Sequence, residues 1–79
     1  MEKPFYVGNL SFNVSESDLK ELFAMHGMVQ TASVIKDKYS GESRGFGFVE
    51  MPEKEEAFKA ISALNGKDLK GRNLKASAA

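Results

Sequence analysis

The stretch Arg44-Gly45-Phe46-Gly47-Phe48-Val49-Glu50-Met51, stopped by Pro52, limits what this chain can fold into more than any other. It reads as a β-strand, and a strand sends successive side chains to opposite faces. One parity collects Arg44, Phe46, Phe48 and Glu50, and the other collects Gly45, Gly47, Val49 and Met51. Helices packed on a sheet need an apolar face, and the Val49/Met51 parity supplies it. Phe46 and Phe48 are then left on a face that no helix covers. Exposed aromatic pairs carry a cost in water unless a ligand or partner is meant to cover them.

The flanking segments supply those helices. Phe5-Tyr6-Val7-Gly8 is aromatic and β-branched, follows Pro4 and stops at Gly8-Asn9, which predicts a short strand. Ser15 is a good N-cap, with Asp18 at the capping-box position and Val14 and Leu19 at the hydrophobic-staple positions. Leu19, Leu22 and Phe23 recur at helical spacing and Gly27 is a stop signal, so a helix is predicted over roughly Glu16 to His26. Val29 to Lys36 reads as a strand, residues 37–43 as a hairpin turn, and Arg44 to Met51 as the returning strand. Ala57, Ala60, Ile61 and Leu64 then fall at i, i+3, i+4 and i+7, a second amphipathic helix from Glu53 closed by Asn65-Gly66. Lys67 to Lys70 is a short extended piece, Gly71 a turn, and Arg72 to Ser77 a final strand. The order β-α-β-β-α-β is the ferredoxin-like split arrangement of the α+β class. It predicts a four-stranded antiparallel sheet with two helices on one face.

Composition agrees with one such unit. The 79 residues suffice for one hydrophobic core, so residues 1–79 are expected to form a single domain. Apolar residues at 42% can fill that core, and with 28% charged residues the chain is not compositionally disordered. Cysteine is absent, which excludes a disulfide framework and thiolate metal sites and fits a reducing compartment such as the cytoplasm. No apolar run is long enough for a membrane helix, and no signal segment opens the chain.

On the first strand, Phe5 and Val7 take the inward parity, leaving Tyr6 and Gly8 outward. Tyr6, Phe46 and Phe48 would thus line one exposed surface, with Gly8 removing bulk from it. Flat rings suit unstacked nucleobases, each stack being worth about 1–3 kcal/mol. Arg44 can pair with a phosphate or stack its guanidinium plane. By the same alternation Ser33 and Ile35, and Asn73, Lys75 and Ser77, share the open face. Lys36 and Lys38 border the hairpin, where a solvated charge and a phosphate contact are equally good readings. Asn9 is better read as serving the turn than a base.

These residues resemble a known family. The octamer from Arg44 to Met51 resembles the first ribonucleoprotein motif of RNA recognition motif domains. Phe5-Tyr6-Val7-Gly8-Asn9-Leu10 resembles the second motif and lies on the first strand. The hairpin from Lys36 to Arg44 and the run Leu64-Asn65-Gly66-Lys67 are similar as well, so the resemblance covers essentially the whole chain. It is strongest to small stand-alone bacterial members. It implies binding of single-stranded RNA, and as a further candidate single-stranded DNA, by a monomer without cofactor. The family's stacking positions fall on Tyr6, Phe46 and Phe48, and its motif cation on Arg44. Met51 and Phe5 depart from the motifs' usual residue types, both on the inward parity. Ala76-Ser77-Ala78 stand where the family often has base-contacting residues, and no basic or Gly/Arg-rich tail is present.

Other chemistry fits poorly. Gly45-Phe46-Gly47 lacks the third glycine of a dinucleotide fingerprint and sits within a strand. His26 is the one histidine, near a helix C-terminus where it suits the dipole. No histidine–carboxylate cluster suggests a metal site or an enzyme. A hydrolase on the same fold needs an anion cradle that Asn9-Leu10-Ser11 does not provide. The rival from another class is a protein-interaction module using the helical face. There Phe58 lies beside the Ala57/Ile61/Leu64 stripe, and packing at the stripe's edge is its simpler reading.

Eleven basic and eleven acidic residues give a formal charge of zero, which argues against nucleic acid only until it is divided. The helical segments hold six acids and three bases, while the strands and loops hold eight bases and five acids. The positive share therefore lies in the segments that include the open face. Few phosphate contacts are expected.

Overall fold

In the computed structural model, which describes residues 4–78, the chain forms β1 (Phe5–Gly8), α1 (Glu16–Ala24), β2 (Thr31–Lys36), β3 (Ser43–Glu50), α2 (Lys54–Leu64), β4 (Asp68–Leu69), β5 (Arg72–Asn73) and β6 (Lys75–Ala78). Four strands pair antiparallel in the order β2-β3-β1-β6, and β4 and β5 form a separate two-stranded ribbon. This is the expected α+β, ferredoxin-like sandwich, with the ribbon inserted before the last strand.

The inward parity of the sheet builds the core. Phe5, Val7, Val34, Val49 and Met51 are buried against Leu19 and Phe23 of α1 and Ala60 and Leu64 of α2. Phe5 and Phe23 meet with ring centroids 5.4 Å apart. Burial of each such side chain contributes about 1.5–3 kcal/mol, which makes this face the main source of stability. No described helix is long and apolar enough to cross a membrane.

α1 begins as its capping signal requires. The Ser15 hydroxyl accepts from the Asp18 N–H at 3.1 Å, and the Asp18 carboxylate accepts from the Ser15 N–H at 3.0 Å. The Ser15 N–H and the Lys70 ammonium, 3.0 Å away, hold the Asp18 carboxyl below the usual carboxylate range. That ion pair is solvent-exposed, so the reciprocal cap matters more to stability. Ser15→Ala should lower the urea midpoint by the equivalent of about 1 kcal/mol with an unchanged slope. A change in slope would show that more than a cap had been lost.

Two helix acids also serve backbone amides elsewhere. Glu16 accepts from the Val34 N–H at 3.2 Å, and Val34 lies on β2, an edge strand whose outer amides lack a ladder partner. Glu56 accepts from the Met28 N–H at 3.1 Å, joining α2 to the segment that leaves α1.

Three boundaries differ from the sequence reading by more than one residue. α1 stops at Ala24 instead of His26, because the His26 N–H donates to the Phe23 carbonyl and tightens the exit into a shorter turn. β2 starts at Thr31 instead of Val29. The final strand does not run unbroken from Arg72 to Ser77. The Leu74 N–H donates to Lys67 O at 2.8 Å and its carbonyl accepts from Gly66 N–H at 2.7 Å. Leu74 is thereby tied to the exit of α2 with its side chain buried, and the sheet strand starts only at Lys75.

Candidate nucleic-acid interface

The face of the sheet opposite the helices is uncovered. Its register sets Ser77, Tyr6, Phe48 and Ser33 in one row across all four strands. Tyr6, Phe46 and Phe48 are each part-buried and part-exposed. Tyr6 lies 5.9 Å from Phe46 and 6.2 Å from Phe48, and Phe46 stands edge-on to Phe48 at 6.1 Å. These separations are within the range of favourable aromatic pairs, so the rings hold one another in place. Gly8 explains how Tyr6 can lie low on the sheet: a methyl group there would run into the Tyr6 ring.

Alternation fails at one point. Gly45 has φ +84°, and the β2–β3 register passes from Val34↔Gly47 to Lys36↔Ser43. β3 therefore carries extra residues there, an irregularity of the bulge kind that a left-handed glycine permits. Arg44 lies beyond this break, so alternation with Phe46 does not fix its side. It is exposed, and its charge acts on Asp37 in the hairpin. The Ser40 and Tyr39 N–H groups, with Arg44 adding to them, hold the Asp37 carboxyl below its usual range.

The other predicted contacts separate into groups. Ser77 is exposed beside Tyr6, and Lys75 is exposed opposite Gly8. Ile35, half-buried, falls in the irregular part of β2, and Lys36 ends that strand opposite Ser43. Lys38 reaches over the Tyr39 ring, 5.1 Å from its centroid. Asn73 is not on the sheet but on the ribbon, because of the break at Leu74.

Asn9 joins that ribbon to β1. It adopts a left-handed backbone, φ +57°, a conformation asparagine tolerates. Its side-chain amide donates to Asn73 O at 2.7 Å, and its oxygen accepts from the Arg72 guanidinium at 2.9 Å. Its amide thus serves the local architecture, in line with the turn reading. Sequence reasoning missed what this does to Arg72, which is held beside the exit of β1, near Lys75. Lys36, Lys75, Arg72 and Arg44 belong to this end of the sheet, whereas Glu50 sits at the other end opposite Thr31. These cations share their end with Asp37 and Glu42 of the hairpin.

The uncovered antiparallel sheet thus bears a cluster of three rings, and no group of three or more potential metal ligands occurs among the described residues. The family description RNA recognition motif matches residues 5–75, and the chain belongs to that family. It is 53% identical over 74 residues to the chloroplast 29 kDa ribonucleoprotein B of Nicotiana sylvestris, covering 94% of this chain and 25% of that protein. RbpA of Synechocystis is 47% identical over 74 residues, covering 94% of this chain and 73% of the relative. Among solved structures, RNA Binding Protein PG1 is 44% identical with a TM-score of 0.93, covering 98% of this chain and 93% of that one. The chain thus spans about a quarter of the length of the chloroplast relatives it matches.

Proposed function

We propose that the chain binds single-stranded RNA on the open face of its sheet, with two or three bases stacked on Tyr6, Phe46 and Phe48. The observation that carries this reading is the cluster of three part-exposed rings, all within 6.2 Å of one another on a face that no helix covers. The ribonucleoprotein and RNA-binding names of its relatives support the choice of RNA. Arg44, Lys36 and Lys75 serve phosphates, Lys38 adds its charge from the hairpin, and Ile35 and Ser77 meet base edges with Asn73 beside them on the ribbon. Stacking alone does not distinguish RNA from single-stranded DNA, because discrimination needs contacts to the 2′-hydroxyl. We take residues 1–79 as one monomeric binding domain without enzymatic activity, working in a reducing compartment such as the cytoplasm.

Stacking at about 2 kcal/mol per base, less ordering costs, gives an affinity no better than about micromolar for a short oligonucleotide. Lys70 is occupied with Asp18, and Lys36, Arg44 and Lys75 are the cations best placed for phosphates. Three phosphate contacts on a single strand give a slope of about −2 in log affinity against log salt. A slope near −6 would mean that charge, not stacking, dominates.

The test is amide-shift mapping with short single-stranded RNA and DNA oligonucleotides. Shifts concentrated on the four strands of the sheet, with smaller ones in the β2–β3 hairpin and at Asn73, are the expected result. Shifts centred on α2 would overturn it. Phe58, 52% exposed with Lys54 5.7 Å over its ring, favours the second reading, a protein partner on the helical face. Phe58→Ala should leave RNA affinity unchanged and abolish any such capture.

A further inference from the structure

Three rings lie on the sheet, but a fourth is held out beyond its end. Phe12, between β1 and α1, is 67% exposed. The loop that carries it is pinned on both sides. Leu10 is buried and its N–H donates to Gly45 O at 2.8 Å, while Val14 is buried and its N–H donates to Ser11 O at 3.0 Å. The Lys70 ammonium donates to Asn13 O at 3.2 Å. With its main chain held in this way, Phe12 has little backbone freedom left to lose when a flat group covers its ring.

The Phe12 ring edge lies 3.6 Å from where a methyl on Gly45 would sit, at the residue that precedes Phe46. Phe12 thus lies beside β3 one residue before the first ring of the sheet platform. It also forms one wall of an open cleft of about 440 Å³, with Asn13 and Ser15 on its side and Lys36, Glu42 and Ser43 facing them. That volume is within the range of small-ligand sites. The Ser43 hydroxyl oxygen accepts from the Gly45 N–H at 3.1 Å, which leaves its proton free to donate outward. Asn13 offers both a donor and an acceptor. Lys36 supplies one cation at the rim, while Glu42 on the same wall disfavours a free anion in the cleft. A flat ring, hydrogen-bonding side chains and one cation suit a base with its phosphate outside.

We infer that the cleft between the β1–α1 loop and the β2–β3 hairpin takes one further nucleobase of the bound strand, stacked on Phe12. This rests on the RNA reading of the sheet. It places the strand's continuation past Phe46, around the end of the sheet and towards the hairpin.

Labelled pools of random RNA trimers and heptamers, titrated against the full chain and its Phe12→Ala, Phe12→Tyr and Phe48→Ala variants, test it. Phe12→Ala should weaken heptamer binding about tenfold and trimer binding less than twofold, with Phe12→Tyr close to the parent chain. An unchanged heptamer affinity in Phe12→Ala, with both pools weakened by Phe48→Ala, overturns the inference and leaves the sheet reading standing. Equal losses for trimer and heptamer in Phe12→Ala also overturn it, because the ring would then support the loop or the sheet. If Phe48→Ala changes neither pool, the sheet reading fails and the inference fails with it.

Discussion

Phe48→Ala is expected to weaken binding of a single-stranded RNA heptamer about thirtyfold and to lower the melting temperature by only about 5 °C. The affinity loss follows from position. Phe48 lies on a central strand in the row Ser77, Tyr6, Phe48, Ser33, and its ring borders both Tyr6 and Phe46. One lost stack is worth about 2 kcal/mol, and each 1.4 kcal/mol is tenfold. Tyr6, 6.2 Å away, loses a neighbour that limits its tilt, so the second stack suffers as well. The small loss of stability follows from exposure. Phe48 contributes ring–ring contacts worth about 1 kcal/mol but is not in the core cluster. Phe23→Ala shows the contrast, since a fully buried ring costs about 3–5 kcal/mol when truncated. Fluorescence anisotropy and thermal melts on both variants, with Phe46→Ala beside them, separate the effects. Unchanged affinity in both Phe46→Ala and Phe48→Ala would sink the stacking reading.

The element order was legible because it depends on periodicity, which is local. The helical spacing of Ala57, Ala60, Ile61 and Leu64 and the alternation of Phe46, Phe48 and Val49 are each decided within a few residues. Alternation also assigns Tyr6 and Ser77 to the outer face, and the register sets them side by side. What stayed hidden depends on a second segment. Nothing local to Gly45 says that its backbone turns left-handed, since the Leu10 N–H bonded to its carbonyl comes from another loop. Leu74 looks like one more residue of a strand, yet Lys67 and Gly66 bond its main chain and cut that strand in two. Phe12 sits in the β1–α1 loop, which has no periodic pattern to say where the ring goes. Strict alternation with buried Leu10 and Val14 would turn it inward, yet it is 67% exposed.

Gly47→Ala adds a single methyl group, yet it should destabilise the chain by about 3 kcal/mol. Gly47 lies on β3 between Val7 of β1 and Val34 of β2, and its missing side chain is what lets β2 approach. A methyl group there would run into the Ser33 carbonyl oxygen and come within 3.1 Å of the carbonyl carbon and 3.2 Å of Val34 Cα. All of these are backbone atoms, which cannot rotate aside as a side chain can. The strands would have to part, giving up ladder pairing at Val34↔Gly47 and Ser33↔Phe48 and drawing Val34 from the core. A chain of this size has about 4–12 kcal/mol in total, so the loss is a large share of it. Gly8→Ala makes the matched control. There the obstacle is the Tyr6 ring, which can turn away, so the fold should survive while RNA affinity falls with the displaced ring. Urea unfolding and RNA titration of the pair should therefore give opposite rankings, Gly47→Ala losing stability first and Gly8→Ala losing mainly affinity. A Gly47→Ala variant as stable as the parent would mean that β2 and β3 do not approach so closely. Gly8→Ala with full affinity would mean that Tyr6 need not lie flat to hold a base.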